Sequence, residues 1–255
     1  MVIAAVLVRA AIDDDAPAGP RAGGVVICAE DLMDHCRDLG DGIEVRSEAA
    51  ADTAQAISGG TVPDDVDAWI TSSAWVEVVS ARAPEALDGA RGLGRSPVVV
   101  ATAPGRAAAL RELCGARDVW ACLGESVGHP WGDLGAGNPA WRELEAGLPD
   151  PDQAIGLSVL ASAAVGWFGD TDFAANDLDL SFSDFLADLA DASAGDEDPA
   201  RTMAVAPGRY SAAGTVAAVA AALAVRDVQA IEPTQGVHSE DVTVTRRGHD
   251  LPDLD

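Results

Sequence analysis

Three short stretches of this chain carry groups suited to holding a small molecule, and each falls where an apolar strand or loop gives way to a helix. A helix N-terminus exposes backbone N–H groups that no carbonyl of the same helix can reach, so it attracts ligand oxygens. The first stretch is Ala29-Glu30-Asp31, directly after VVICA. The second is Thr71-Ser72-Ser73, where DVDAWIT stops on hydroxyl residues before AWVEVV. The third runs from Asp150 to Ile155, with Asp150 at an N-cap position, Pro151 at the first helical position and an apolar run behind them. The hydroxyls of Thr71, Ser72 and Ser73 suit a ligand oxygen. A plain serine N-cap, worth about 1 kcal/mol, is the stronger reading of that turn taken alone.

No catalytic constellation emerges. HExxH and a complete GxGxxG are absent, no GxSxG elbow joins a strand to a helix, and GARGLG at Gly89 to Gly94 has its glycines in another order. His35 adjoins Cys36 in a helical stretch, where neighbouring side chains diverge and form no dyad. His129, His238 and His249 fall in loops. Every one of the 16 basic residues is Arg, which excludes a P-loop lysine and a Schiff-base lysine. Against them stand 42 acidic residues, for a net charge of −26. Such a surface repels a phosphate backbone, so nucleic acid is excluded as a partner.

Cys28, Cys36, Cys114 and Cys122 form two pairs of eight-residue spacing without a CxxC, which does not suit a zinc ribbon. An even count permits disulfides in three connectivities, and buried thiols fit nearly as well. The weak preference is a Cys114–Cys122 bridge with Cys28 buried in a strand. No metal or cofactor set is expected.

The elements that must position these turns alternate from Val25 onward. VVICA, IEVRS, DAWIT and SPVVVATA read as strands, separated by the helices EDLMDHCRDL, AAADTAQAISGG and SSAWVEVVSARA. Short apolar strands joined by helices of about ten residues indicate an α/β fold with mainly parallel sheets and helices on both faces. Residues 25–103 form one lobe, and PGRAAALRELCG opens a second over 104–227. There LSFSDFLADLADA aligns Phe182, Phe185, Leu186 and Leu189 on one helical face. TMAVA reads as a strand and YSAAGTVAAVAAALAV as an alanine-rich helix. Residues 228–245 hold VQAIEP and a last short strand, and 246–255 an acidic tail. At the other end, Val2 to Val8 is too short for a membrane span, and reads as the remnant of an apolar anchor with a tether through residue 24.

The succession VVICAED, DVDAWITSSAWVEVV, SPVVVATAPGRAAAL, GLPDPDQAIGLSVLA and VQAIEPTQGV resembles the bacterial extracellular solute-binding protein family. It is most similar to actinobacterial substrate-binding-like domains, some of them linked to von Willebrand factor A domains. The resemblance implies a type II periplasmic-binding-protein-like fold: two α/β lobes and a cleft, with SPVVVATA crossing into lobe two, VQAIEP returning, and lobe one incomplete at the C-terminus. It implies a non-enzymatic envelope or extracellular protein, anchored to the membrane through its N-terminus, whose partners are a small ligand and a permease or adhesion domain. The implied ligand-binding residues are Glu30, Asp31, Thr71, Ser72, Ser73, Gln153, Ala154 and Tyr210. Oxyanion-binding members carry hydroxyls after the first strand, where this chain has Glu30 and Asp31. Carboxylates repel an anion, so a neutral, cationic or metal-containing ligand, or none, fits better. A degenerate fold serving as an interaction scaffold, and an α/β hydrolase or transferase, are the alternatives.

Overall fold

The computed structural model describes residues 24–37, 39, 42–173, 177–191, 193, 196 and 198–249. The expected anchor remnant and most of the tether and tail therefore lie outside the described residues. Among the described residues eight strands follow in chain order: β1 (Val25–Ala29), β2 (Glu44–Glu48), β3 (Val66–Ser72), β4 (Leu87–Thr102), β5 (Ala146–Gly147), β6 (Ala212–Val216), β7 (Gln229–Ile231) and β8 (His238–Arg246). The helices are α1 (Met33–Cys36), α2 (Ala50–Gly59), α3 (Ser73–Arg82), α4 (Pro104–Cys114), α5 (Val119–Ser126), α6 (Ala154–Phe168), α7 (Leu180–Asp191), α8 (Pro199–Val205) and α9 (Ala217–Leu223).

Strand β4 ties the two lobes together. Its first part, Leu87 to Pro97, pairs antiparallel with β8 in a sheet of order β2-β1-β3-β8-β4. Its second part, Val98 to Thr102, pairs antiparallel with β6 and β7, while β5 lies parallel to β6. Burial changes at the same point, from exposed residues before Val98 to fully buried ones after it. The expected crossing at SPVVVATA is thus part of a strand of 16 residues that starts at Leu87. GARGLGR shows no alternating apolar pattern; β8 imposes its extended form, with register shifts between Asp88 and Ala90 and between Gly92 and Gly94.

The two-lobed α/β architecture stands, with a mixed pairing. β1 is parallel to β2 and β3, whereas β8 runs antiparallel to both β3 and β4 because the chain re-enters lobe one from lobe two. Two elements differ from expectation. TMAVA lies in helix α8, because Asp198 accepts the Arg201 N–H at 2.9 Å and Pro199 occupies the first turn. AAGTV lies in strand β6, every residue of it buried. Its small side chains admit close neighbours: a Cβ on Gly214 would stand 2.4 Å from Val159 and 3.0 Å from Trp120. Only Ala217 onward continues as a helix.

Each lobe has its own core. In lobe one Ile27, Trp69, Ile70, Val79 and Val244 pack together; in lobe two Trp120, Leu123, Trp131, Val159, Phe182, Phe185 and Leu189 do so. The expected face of α7 is buried at Phe182, Phe185 and Leu189, with Leu186 packed against it. Ala154, the first residue of α6, belongs to the core of lobe one, while Val159 and Ala163 of the same helix belong to lobe two. Two disulfides are present: Cys28–Cys36 closes the turn from β1 into α1, and Cys114–Cys122 joins α4 to α5. The second is the favoured pairing, and the first replaces the buried thiol expected at Cys28.

Candidate functional site

A cavity of about 270 Å³ opens between the lobes. Glu30, Asp31, Met33, Asp34 and Arg37 supply the lobe-one wall, immediately after β1. The opposite wall comes from Gln153 and Ile155 at the start of α6, Asp198 and Arg201 around α8, and Gly214, Thr215 and Val219 along the β6 to α9 turn. The cavity thus sits where strand ends and helix starts meet, as ligand sites do in open α/β sheets.

The N-terminus of α6 is engaged by lobe one through side chains. Asp31 Oδ1 accepts the Ala154 N–H at 3.1 Å and Oδ2 accepts the Ile155 N–H at 2.7 Å. Burial raises the Asp31 carboxyl above its usual range, and the two N–H bonds oppose that rise without cancelling it. Ser72 Oγ donates to the Ala154 carbonyl at 2.9 Å, and the Trp75 indole donates to the Gln153 carbonyl at 3.0 Å. The Ala51 N–H adds a backbone bond to the Asp152 carbonyl at 3.0 Å. Gln153 Nε2 lies 3.3 Å from Glu30 Oε2.

At the rim, Arg201 pairs with Asp198 at 2.8 Å and reaches Asp34 across the cleft at 3.7 Å. Arg37 pairs with Asp34 at 2.7 Å. Deeper in lobe one, Asp241 is paired in register with Ser72. Burial pushes its carboxyl up to about 6, against the pull of His35.

The structure gathers some of the expected residues at the cavity and puts others elsewhere. Glu30, Asp31 and Gln153 line it. Ala154 is fully buried just behind, offering its N–H to Asp31. Ser72 is fully buried at the N-cap of α3, yet its hydroxyl leaves that helix uncapped and ties α6 to β3. Ser73 is half-buried in the first turn of α3 and off the cavity wall. Thr71 is fully buried, its Oγ1 without a partner. Tyr210 stands away from the cavity: it packs with Ala101, Met203 and Val228, and its hydroxyl donates to Asp196 at 2.8 Å. The residues that sequence reasoning passed over are Asp34, Arg37, Asp198, Arg201 and Thr215. Asp198 had a usable signal, an acidic residue directly before Pro199 as at a helix start; Thr215 had none inside an alanine-rich run.

Among the described residues the cavity wall contains no histidine, serine or cysteine, and no three His, Cys, Asp or Glu side chains converge as metal ligands.

With this geometry the chain has the two-lobed fold of periplasmic binding proteins. Similar solved structures include the periplasmic binding protein AfuA from Actinobacillus pleuropneumoniae with exogenous fructose-6-phosphate bound, at 12% identity and a TM-score of 0.57, covering 91% of this chain and 76% of that one. The ferric binding protein from Campylobacter jejuni aligns at 9% identity with a TM-score of 0.54, covering 90% and 78%. Trichodesmium IdiA (FutA), in complex with iron and citrate, aligns at 11% identity with a TM-score of 0.52, covering 89% and 77%. No family model and no curated protein sequence matches the chain.

Proposed function

We propose that this chain is a non-enzymatic solute-binding protein of the cell envelope that holds a small ligand between its lobes and delivers it to a membrane partner. One observation carries the reading: a single cavity is walled by the first turn of lobe one and by three helix or strand ends of lobe two, with β4 running through both lobes as a hinge. Hinged lobes that meet over a cavity couple ligand contact to closure. The fold it shares with AfuA and the ferric binding protein supports the same role. Two disulfides suit an oxidising compartment. No helix among the described residues is long and apolar enough to cross a membrane. Kinship with actinobacterial domains joined to von Willebrand factor A domains rests on the spaced strand and turn segments alone.

A ligand that bridges the lobes raises the melting temperature in proportion to the logarithm of its concentration. Calorimetry and thermal-shift titration of the purified protein against sugars, amino acids, organic cations and oxyanions tests the reading, and a flat response throughout ends it. One feature favours the scaffold alternative: Asp31 and Ser72 of lobe one bond the start of α6 directly. That alternative expects the flat response together with a folded, cooperative protein.

A further inference from the structure

We propose that the cleft accepts a small organic cation whose ammonium or guanidinium group donates hydrogen bonds, and that Asp31 is the residue that keeps anions out. This rests on reading the interlobe cavity as the ligand site.

The groups that would hold an anion are already engaged within the chain. The start of α6 presents two backbone N–H groups beside the cavity, and both are taken by the Asp31 carboxylate, at 3.1 and 2.7 Å. That carboxylate occupies the place an anionic ligand would fill at a helix N-terminus. On the facing helix α9, the Ala218 N–H is held by Ser96 Oγ at 3.0 Å. The two guanidiniums on the wall are committed as well, Arg37 to Asp34 and Arg201 to Asp198. An arriving phosphate, sulfate or carboxylate would find repulsion from Glu30, Asp31, Asp34 and Asp198, with both α6 N–H groups occupied and each guanidinium already neutralised by a carboxylate.

Acceptors are the opposite case. Gln153 is only 7% exposed, and its Oε1 has no hydrogen-bond partner. A buried amide oxygen left unpaired is unfavourable, and a donor arriving with the ligand would satisfy it. The Gln153 amide nitrogen reaches Glu30 only at 3.3 Å, so that exposed carboxylate keeps most of its accepting capacity. Four carboxylates and two arginines on the wall leave the cavity negative. Because no three metal-ligating side chains converge among the described residues, this field and these acceptors suit an N–H donor better than a chelated ion. The volume of about 270 Å³ suits a molecule the size of a diamine or an amino acid.

Calorimetric titration of the purified chain at near-physiological salt tests this, with putrescine and agmatine against choline, sulfate and phosphate. Putrescine or agmatine should bind and raise the melting temperature, while choline, a cation without N–H donors, and both anions should not. Glu30→Gln should weaken diamine binding about tenfold or more, as expected for losing a charge-assisted hydrogen bond. General attraction to a protein of net charge −26 would survive that substitution and treat choline alike, which would overturn the proposal. Asp31→Ser frees the two α6 N–H groups and should create sulfate or phosphate binding that the parent lacks. If the parent itself binds sulfate, phosphate or a neutral sugar, the charge assignment falls and the solute-binding reading stands. If the parent binds nothing and only Asp31→Ser binds an anion, the cation proposal falls and the parent is a plugged binding fold. If neither protein binds any of these probes, the cation proposal falls, and the solute-binding reading is decided by the wider titration with sugars and amino acids.

Discussion

Asp31 and Ile155 stand 124 residues apart in sequence, and the carboxylate of one accepts the backbone N–H of the other at 2.7 Å. With the Ala154 N–H on its second oxygen, Asp31 acts as a helix cap supplied by the opposite lobe. Replacing it with Ala leaves two N–H groups of α6 without their acceptor. Asp31→Ala should lower unfolding stability by about 1–3 kcal/mol. Asp31→Asn keeps one acceptor oxygen, and should lose less. Urea denaturation of the three proteins measures the order, and an Ala variant as stable as the parent would mean that water satisfies the helix start.

Ser72 and Ser73 separate two roles that the sequence presents together. The Ser72 hydroxyl is buried and bonds the Ala154 carbonyl at 2.9 Å, whereas Ser73 is half-buried at the first position of α3. Ser72→Ala should cost about 1 kcal/mol, and Ser73→Ala a few tenths. Equal effects of the two substitutions would show that Ser72 works as an ordinary cap.

Asp241 gives the protein a distinct pH response. Burial pushes its folded pKa up to about 6, against about 3.9 in an unfolded chain. Between those values the folded state holds more protons than the unfolded one, so this group's contribution to stability falls as pH rises through the window. Asp241→Asn removes the penalty. The variant should exceed the parent by roughly 1–3 kcal/mol at pH 7, and the gap should shrink towards zero near pH 4. Paired urea curves from pH 4 to 7.5 check this, and a gap independent of pH would assign the gain to packing instead.

What was legible in the sequence follows from which forces are local. Strands β1 and β3 and the turns after them show as apolar runs cut by polar residues, and α7 shows through the spacing of Phe182, Phe185 and Leu189. Strand β6 did not show, because Ala212 to Val216 is as rich in small residues as the helix that follows, and only its pairing with β4 and β5, distant in sequence, makes it a strand. The first part of β4 was hidden for another reason. Its exposed Gly89, Arg91, Gly92 and Arg95 carry no hydrophobic period, and partner β8 lies far along the chain. At the cavity, Glu30, Asp31 and Gln153 were readable as ends of elements, but their mutual bonds depend on the lobes coming together. Tyr210 looked like a turn residue, and its contacts with Met203 and Asp196 are long-range or loop contacts that periodicity does not carry.

The two disulfides each close a short loop around a turn, so reduction should loosen the protein without erasing the fold. Closing a loop of about this size in the unfolded chain is worth about 2–3 kcal/mol per bond. Cys28–Cys36 supports the turn that carries Glu30 and Asp31, whereas Cys114–Cys122 joins α4 to α5 away from the cavity. A Cys28→Ser/Cys36→Ser double variant should therefore lose stability and ligand response together, and Cys114→Ser/Cys122→Ser stability alone. Denaturation curves and thermal-shift titration of both variants distinguish this from a uniform effect.

Gly156 is the most constrained position at the start of α6, and the cause is space. A Cβ there would lie 1.8 Å from the Asp150 carbonyl oxygen and 2.6 Å from its carbon, with Pro151 Cα at 3.1 Å. All three are backbone atoms, so no side chain can swing aside. The segment before α6 would have to move, and with it the N–H groups held by Asp31 and the carbonyl held by Ser72. Gly156→Ala should cost several kcal/mol, at the upper end of single substitutions. Gly208 is the control: nothing lies within 4 Å of its added Cβ, and Gly208→Ala should be neutral within about 0.5 kcal/mol. Melting temperatures of the two variants decide the point. A Gly156→Ala protein as stable as Gly208→Ala would mean that the loop from Asp150 to Gln153 rearranges at little cost, and that lobe one does not hold α6 through these bonds.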